Sequence, residues 1–135
     1  MAYWLIKTEP SSWSWGDQNR DGTTHWSGVR NYQAAANLKA MRTGDKAFFY
    51  HSVSEKKIVG IVTISRDYYP DPTDESGRFG MVDVTLDRAL PHPVSLEQVK
   101  ADERLHHLAL IRQSRLSVMP IDDRSWEILC SLGGL

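Results

Sequence analysis

Four short stretches of the sequence combine side chains that suit a flat, polar ligand. They are KTEP (7–10), WSGVRN (26–31), FYHS (49–52) and RLSV (115–118). Together they offer an indole ring, a guanidinium, an ammonium, an amide and several hydroxyls. An aromatic face contributes about 1–3 kcal/mol by stacking on a nucleobase, and amide and backbone groups hydrogen-bond the edge of the base. If the fold brings these stretches together, we expect them to hold a planar heterocycle.

Three residues at the centre of this pattern also have simpler interpretations. Trp26 is compatible with a core position, Asn31 with a helix cap, and Arg30 with a surface ion pair. Gly28 would let the backbone turn tightly before the helix that follows. The individual residues therefore leave both interpretations open, and only their convergence in space favours a binding site.

The sequence contains no recognisable catalytic or metal-binding motif. Its five histidines lack metal-site spacing, and it has no phosphate loop, dinucleotide fingerprint or nucleophile elbow. His51 and Ser52 resemble a base and a nucleophile, but neighbouring strand residues point to opposite faces. Cys130 lies in a leucine-rich helical stretch and is expected to be a buried structural thiol. We expect no cofactor, no metal and no enzymatic activity; a small hydrolase or transferase using His51, Ser52 or Lys7 is the less favoured alternative.

The bulk composition is typical of a soluble one-domain protein. The chain has 135 residues, of which 41% are hydrophobic and 24% charged. It has no apolar run of the ~20 residues that would span a bilayer, and its single cysteine excludes an internal disulfide. We therefore expect a monomer in the cytoplasm, or in the nucleus of a eukaryote, with no membrane partner.

Charge is distributed unevenly along the chain, although the net charge is only −1. Positions 26–46 carry four basic residues against one acidic residue, and positions 104–121 carry three arginines and no acid. Positions 67–103 carry nine acidic and three basic residues. If the basic segments meet in space, one face would orient a polyanion. The residues we expect to contact nucleic-acid phosphates are Lys39, Arg42, Arg112 and Arg115.

Hydrophobic patterning predicts an α+β fold with a mixed, curved sheet. Alternating or β-branched runs predict strands at 2–7, 45–52, 57–69, 81–90 and 115–120. Helical spacing predicts helices at 31–41, 95–100, 104–111 and 122–132, and Ser11 or Ser12 is expected to cap a further short helix. No repeat, linker or low-complexity tract divides the chain, so we expect one domain over 1–135.

Several of these stretches, in this order, resemble the EVE domain family, which is PUA-like and related to the YTH and ASCH domains. The motifs that carry the resemblance are YWLIKTEP, WSGVRNYQAAANLKAMRTGD, FFYHS, IVGIV, YYPDPT and LALIRQSRLSVMP. They run nearly from end to end of the chain. The resemblance implies a pseudobarrel sheet with peripheral short helices, and a pocket for a modified base in DNA or RNA on which no chemistry is performed.

The resemblance also implies which residues form the pocket. The family's pocket positions fall here on Lys7, Thr8, Trp26, Arg30, Asn31, His51, Ser52 and Ser117, and we add Gly28 and Tyr50 to this predicted set. Three residues depart from the family pattern: Thr8 stands for a serine, Ser27 for an acidic residue and Met119 for a glutamine. We therefore expect a non-enzymatic reader of a modified nucleobase, such as a modified cytosine. The alternative is an RNA-binding accessory domain that contacts phosphates of structured RNA.

Overall fold

Six strands form one mixed sheet in the computed structural model, which describes all residues from 1 to 135. Strand order across the sheet is β2-β5-β4-β3-β1-β6, and only the neighbouring strands β1 and β3 are parallel. The strands are β1 (Tyr3–Thr8), β2 (Thr23–His25), β3 (Lys46–His51), β4 (Lys57–Pro70), β5 (Gly80–Ser95) and β6 (Val118–Ile121).

Five short helices and one 3-10 turn (Glu103–Leu105) lie around this sheet. Side-chain oxygens of Ser14, Asn31, Ser95 and Asp122 accept hydrogen bonds from the first turns of four of the helices. No helix has the combination of length and hydrophobicity that crossing a bilayer requires. The helices are α1 (Trp15–Asp21), α2 (Tyr32–Ala40), α3 (Leu96–Ala101), α4 (Ala109–Arg112) and α5 (Asp123–Leu132).

The sheet curves because the pairing of its two longest strands is irregular. The register between β4 and β5 shifts at four places, and such bulges bend a strand and increase its twist. Curvature wraps the sheet into an open pseudobarrel around Phe48, Phe49, Leu5 and Ile6, which are almost completely buried. The predicted α+β class with a curved mixed sheet is therefore confirmed.

One glycine allows the first helix to close against the sheet. Gly60 lies in β4 directly beneath the indole of Trp15, and a Cβ atom built on it would lie 2.3 Å from that ring. Trp15 in turn packs edge-on against Phe49, with ring centroids 5.1 Å apart. This contact holds α1, and the loop that precedes it, over one end of β1 and β3.

The elements differ from the sequence prediction in several places. The helix predicted at 104–111 is instead the 3-10 turn at Glu103–Leu105 followed by the four-residue α4, and the strand predicted at 115–120 is found at Val118–Ile121. Ser14 caps α1, instead of Ser11 or Ser12, because its hydroxyl and the Asp17 carboxylate satisfy each other's backbone amides. Strand β5 continues to Ser95 although Pro91 and Pro93 lie within it. β2 pairs only with positions 83–85 of β5. Beyond that point one edge of β5 has no neighbouring strand, so no hydrogen bond across that edge is lost because proline lacks an amide donor.

Candidate functional site

A cavity of about 530 Å³ opens where β1, β2 and the loop before α2 meet. This volume lies within the range of roughly 300–1,000 Å³ that is usual for small-molecule sites. Two indoles and a valine form its apolar part, while the remaining wall is made of hydroxyls, backbone and basic side chains. It is lined by Lys7, Thr8, Ser12, Trp13, Thr24, His25, Trp26, Ser27, Gly28, Val29, Arg30 and Ser117.

The cavity is electropositive because two basic side chains, Lys7 and Arg30, line it and no carboxylate does. Arg30 is ion-paired with the buried Asp71 behind the wall, so Lys7 carries the charge that has no acidic partner. Burial lowers the pKa of the Lys7 ammonium, whose Nζ donates a hydrogen bond to the carbonyl of Ser114 (2.9 Å). The same ammonium lies 5.6 Å from the centre of the Tyr50 ring. The wall can therefore present a hydrogen-bond donor and positive charge to a ligand with acceptor atoms.

Six of the ten residues predicted to bind a ligand line this cavity. The set comprises Lys7, Thr8, Trp26, Gly28, Arg30 and Ser117, from three stretches far apart in the sequence. They converge because β1 pairs with β3 on one side and with β6 on the other, and the amide of Lys7 donates to the carbonyl of Ser117 (2.9 Å). The structure brings these six together.

Four other predicted residues do not line the cavity. Asn31 caps α2, its Oδ1 accepting from the amide of Ala34 (2.9 Å). Tyr50 is buried beneath Lys7, and Ser52 lies at the end of β3, where its amide bonds to the carbonyl of Thr8 (2.9 Å). These residues support the cavity from outside its wall.

His51, the fourth of these, is fully engaged in the structure. Its Nε2 accepts a hydrogen bond from the amide of Trp15 (2.9 Å), so Nδ1 carries the proton and faces Glu55 (3.1 Å). No hydrogen bond joins the imidazole to Ser52, so the pair does not form the nucleophile–base contact that a hydrolase would need. Cys130, expected to be buried, is half-buried on α5, and burial raises the pKa of its thiol.

Trp26 belongs to both the core and the cavity wall. Only 7% of its surface is exposed, and its ring packs edge-on against Phe49 with centroids 5.7 Å apart. Trp26 is therefore a core residue, as the simpler interpretation holds, and it also borders the cavity. Trp13 is more exposed than Trp26, and its indole is held by a hydrogen bond from Nε1 to Gln18 (2.9 Å).

A buried carboxylate shapes the loop between Trp26 and Arg30. Asp71 accepts hydrogen bonds from the amide of Gly28 (2.8 Å) and from the guanidinium of Arg30 (3.2 Å). Burial would raise the pKa of this carboxyl, but hydrogen bonds from Thr73, Gly28 and Arg30 lower it to about 2. Gly28 takes φ +80°, a conformation that favours glycine. Asp71 thus fixes one wall of the cavity without lining it.

His25 at the cavity rim is another residue that the sequence prediction missed. Its Nδ1 lies 2.8 Å from Oδ1 of Asp83, which also accepts a hydrogen bond from Tyr69. Burial would raise the pKa of the Asp83 carboxyl, but these contacts lower it. The sequence prediction also missed five further lining residues, because such side chains in loops have no characteristic spacing in the sequence. They are Ser12, Trp13, Thr24, Ser27 and Val29.

The four residues predicted to contact phosphates fall into two pairs. Arg112 and Arg115 line a second cavity of about 330 Å³ next to the first. Arg42 lies at the opposite end of α2, where its Nη1 donates to the carbonyls of Lys39 (3.0 Å) and Met41 (2.9 Å). Lys39 is in the last turn of the same helix. The structure therefore brings Arg112 and Arg115 near the first cavity, but not Lys39 and Arg42.

Comparison with known proteins relates the whole chain to one family. Residues 2–132 match the EVE domain. The chain is 34% identical to thymocyte nuclear protein 1 of Gallus gallus, over 97% of this chain and 68% of that protein.

Two solved structures are similar throughout. Rpa0253 from Rhodopseudomonas palustris is 51% identical with a TM-score of 0.94, covering 99% of this chain and 94% of that one. The human THYN1 protein, solved in complex with 5-methylcytosine containing DNA, is 30% identical with a TM-score of 0.94, covering 100% and 99% of the two chains. An ASCH structure from Zymomonas mobilis, 12% identical with a TM-score of 0.59 over 97% and 95%, shares the fold alone. The predicted PUA-like fold is confirmed, and the chain belongs to the EVE domain family.

Proposed function

We propose that this protein is a non-enzymatic module that binds nucleic acid and reads a modified nucleobase, with a modified cytosine as the preferred guest. The observation that carries the proposal is the electropositive cavity of about 530 Å³, in which two indoles, a lysine and several hydroxyls meet. The structure of the human relative in complex with 5-methylcytosine containing DNA supports it. The whole chain would act as one domain and as a monomer.

The chemistry of the wall suits a base in its flipped or single-stranded form. Trp13 and Trp26 offer aromatic surface for the faces of the base. Lys7 is a donor for the carbonyl and ring-nitrogen acceptors of cytosine, while the hydroxyl of Ser117 makes no hydrogen bond within the chain and is available to the exocyclic amine. The absence of carboxylates from the lining leaves the phosphates without a repelling charge.

The contribution of one added methyl group to selectivity can be calculated. Extracting a base from a duplex costs a few kcal/mol, so an added group must contribute to binding to be read. Burying one methyl group against Trp26 and Val29 would contribute about 0.8 kcal/mol, which corresponds to about fourfold in affinity. Single-stranded ligands avoid the extraction cost and should bind more tightly than duplexes.

The test compares otherwise identical oligonucleotides by fluorescence polarisation. Cytosine, 5-methylcytosine and 5-hydroxymethylcytosine are placed at one position, in single-stranded and duplex DNA and in RNA. We expect a preference of at least about fourfold for a modified base, and a Lys7→Gln variant should weaken binding because a shorter, uncharged amide replaces the half-buried ammonium. Equal affinity for all bases, with a steep salt dependence and no response to Lys7→Gln, would instead favour recognition of phosphates alone.

A further inference from the structure

The second cavity is adjacent to the first and has a different composition. Its volume is about 330 Å³, and it lies between the start of α2 and the segment that links α4 to β6. Two of its residues are arginines, Arg112 and Arg115, and none is acidic. Asn31, Gln33 and Gln113 add three amide side chains, whereas Leu116 is the single apolar contribution. A cavity of this composition suits a small anion with polar groups attached.

The two cavities share a wall. The Nζ atom of Lys7, in the first, donates to the carbonyl of Ser114, in the second (2.9 Å). Two pairs of consecutive residues also contribute one member to each cavity. Arg30 and Ser117 line the first cavity, and their neighbours Asn31 and Leu116 line the second. Since consecutive Cα atoms are about 3.8 Å apart, a ligand that fills the first cavity needs only a short extension to enter the second.

The cations of the second cavity are not neutralised by the protein. Arg115 is exposed and forms neither an ion pair nor a side-chain hydrogen bond. Arg112 uses only its Nε, which donates to the carbonyl of His106 (2.8 Å) and fixes the direction of the side chain. Asn31 uses its Oδ1 for the helix cap, which leaves its Nδ2 available. The free donors therefore converge on one space beside the base-binding cavity.

We infer that the second cavity binds the phosphate of the nucleotide next to the captured base, so that the unit recognised is a dinucleotide of a single strand. This inference rests on the proposed function, since it takes a base in the first cavity as its starting point. Arg115 and Arg112 hold the phosphodiester, and the amides contact the sugar or the flanking base. The electropositive surface thus acts as a second, adjacent subsite.

The experiment is an NMR titration of the ¹⁵N-labelled chain with deoxycytidine and 5-methyldeoxycytidine, and with 5-methyldeoxycytidine extended by one thymidine on its 5′ or its 3′ side. Each of the two dinucleotides is also tested with an uncharged methylphosphonate link. The variants are Arg115→Gln and the matched control Arg88→Gln, an exposed arginine of β5 that lines neither cavity. Side-chain signals of Arg112 and Arg115 report on occupancy of the second cavity.

We expect one of the two dinucleotides to bind on the order of tenfold more tightly than the nucleoside. Arg115→Gln and the methylphosphonate link should each remove that gain while leaving nucleoside affinity unchanged, and Arg88→Gln should retain it. Two results would overturn the inference: a gain in affinity that survives in Arg115→Gln, or no gain with either dinucleotide. The proposed function would still stand in that case if 5-methyldeoxycytidine binds more tightly than deoxycytidine. Equal binding of those two nucleosides would overturn the proposed function, and the inference with it.

Discussion

An Asp71→Ala variant should unfold more easily than the wild type, by about 1–3 kcal/mol in the free energy of unfolding. Its carboxylate is completely buried and accepts hydrogen bonds from the amides of Gly28 and Thr73 (both 2.8 Å) and from Arg30 (3.2 Å). Removing it leaves these donors without their partner, and the loop that carries Trp26 to Arg30 loses its anchor. Affinity for a modified oligonucleotide should fall as well, because one wall of the cavity is no longer held.

A matched control is Asp67→Ala, at an exposed carboxylate that lines neither cavity. Asp67 accepts from the amide (2.7 Å) and the hydroxyl (2.8 Å) of Thr43, so it makes the same kinds of hydrogen bond at the surface. Urea denaturation should show a smaller loss of stability for this variant, with binding unchanged. If Asp71→Ala costs no more than Asp67→Ala and binds normally, Asp71 does not organise the site.

The pH dependence of stability offers a second readout of the same carboxylate. The pKa of Asp71 is lowered in the folded state from its ordinary value of 3.8 to about 2. A carboxyl with a depressed pKa stabilises the folded state above the unfolded pKa, and this stabilisation is lost as the pH falls through the folded one. The stability difference between the wild type and Asp71→Asn should therefore narrow as the pH is lowered from 3.8 to about 2.

Replacing Trp13 with alanine should weaken binding of a modified oligonucleotide about tenfold, because a stacking side chain is worth about 1–3 kcal/mol per base. Trp13 is half-buried, lines the cavity and offers more accessible ring than Trp26. The corresponding change at Trp26 would be hard to interpret. That ring is 7% exposed and packs on Phe49, so its truncation would cost about 3–5 kcal/mol of stability.

The matched control for Trp13→Ala is Tyr3→Ala. Tyr3 is also a half-buried aromatic residue, and it stacks on Trp126 with ring centroids 4.3 Å apart, outside both cavities. Both variants should lose some thermal stability, but only Trp13→Ala should lose affinity in a fluorescence polarisation titration. Equal affinities of the two variants would show that Trp13 contributes to the fold alone.

Much of the architecture could be predicted because it depends on local patterns. Runs of apolar, β-prone residues predicted β3 and β4, and helical spacing predicted α3. The three-residue strand β2 could not be predicted, since its extended conformation depends on pairing with positions 83–85 and not on its own sequence. The pseudobarrel came from the family resemblance and not from periodicity.

The site was harder to predict than the fold, since a cavity depends on where side chains point. His51 was assigned to the pocket from its motif, yet contacts with Trp15 and Glu55 occupy its ring. Trp13 was overlooked because a tryptophan in a loop has no diagnostic spacing, and it reaches the cavity only through the fold of the loop that precedes α1. Asp71 lies 41 positions after Arg30 in the sequence, so no local pattern could predict the contact between them.

The most direct test of the central claim is a crystal structure of this chain with a single-stranded oligonucleotide that contains one 5-methylcytosine. We predict that the methylated base lies inside the larger cavity, with its ring against Trp13 or Trp26 and its polar edge within hydrogen-bond distance of Lys7 or Ser117. A base that stays stacked on its neighbours outside the cavity, while the protein touches only phosphates, would contradict it.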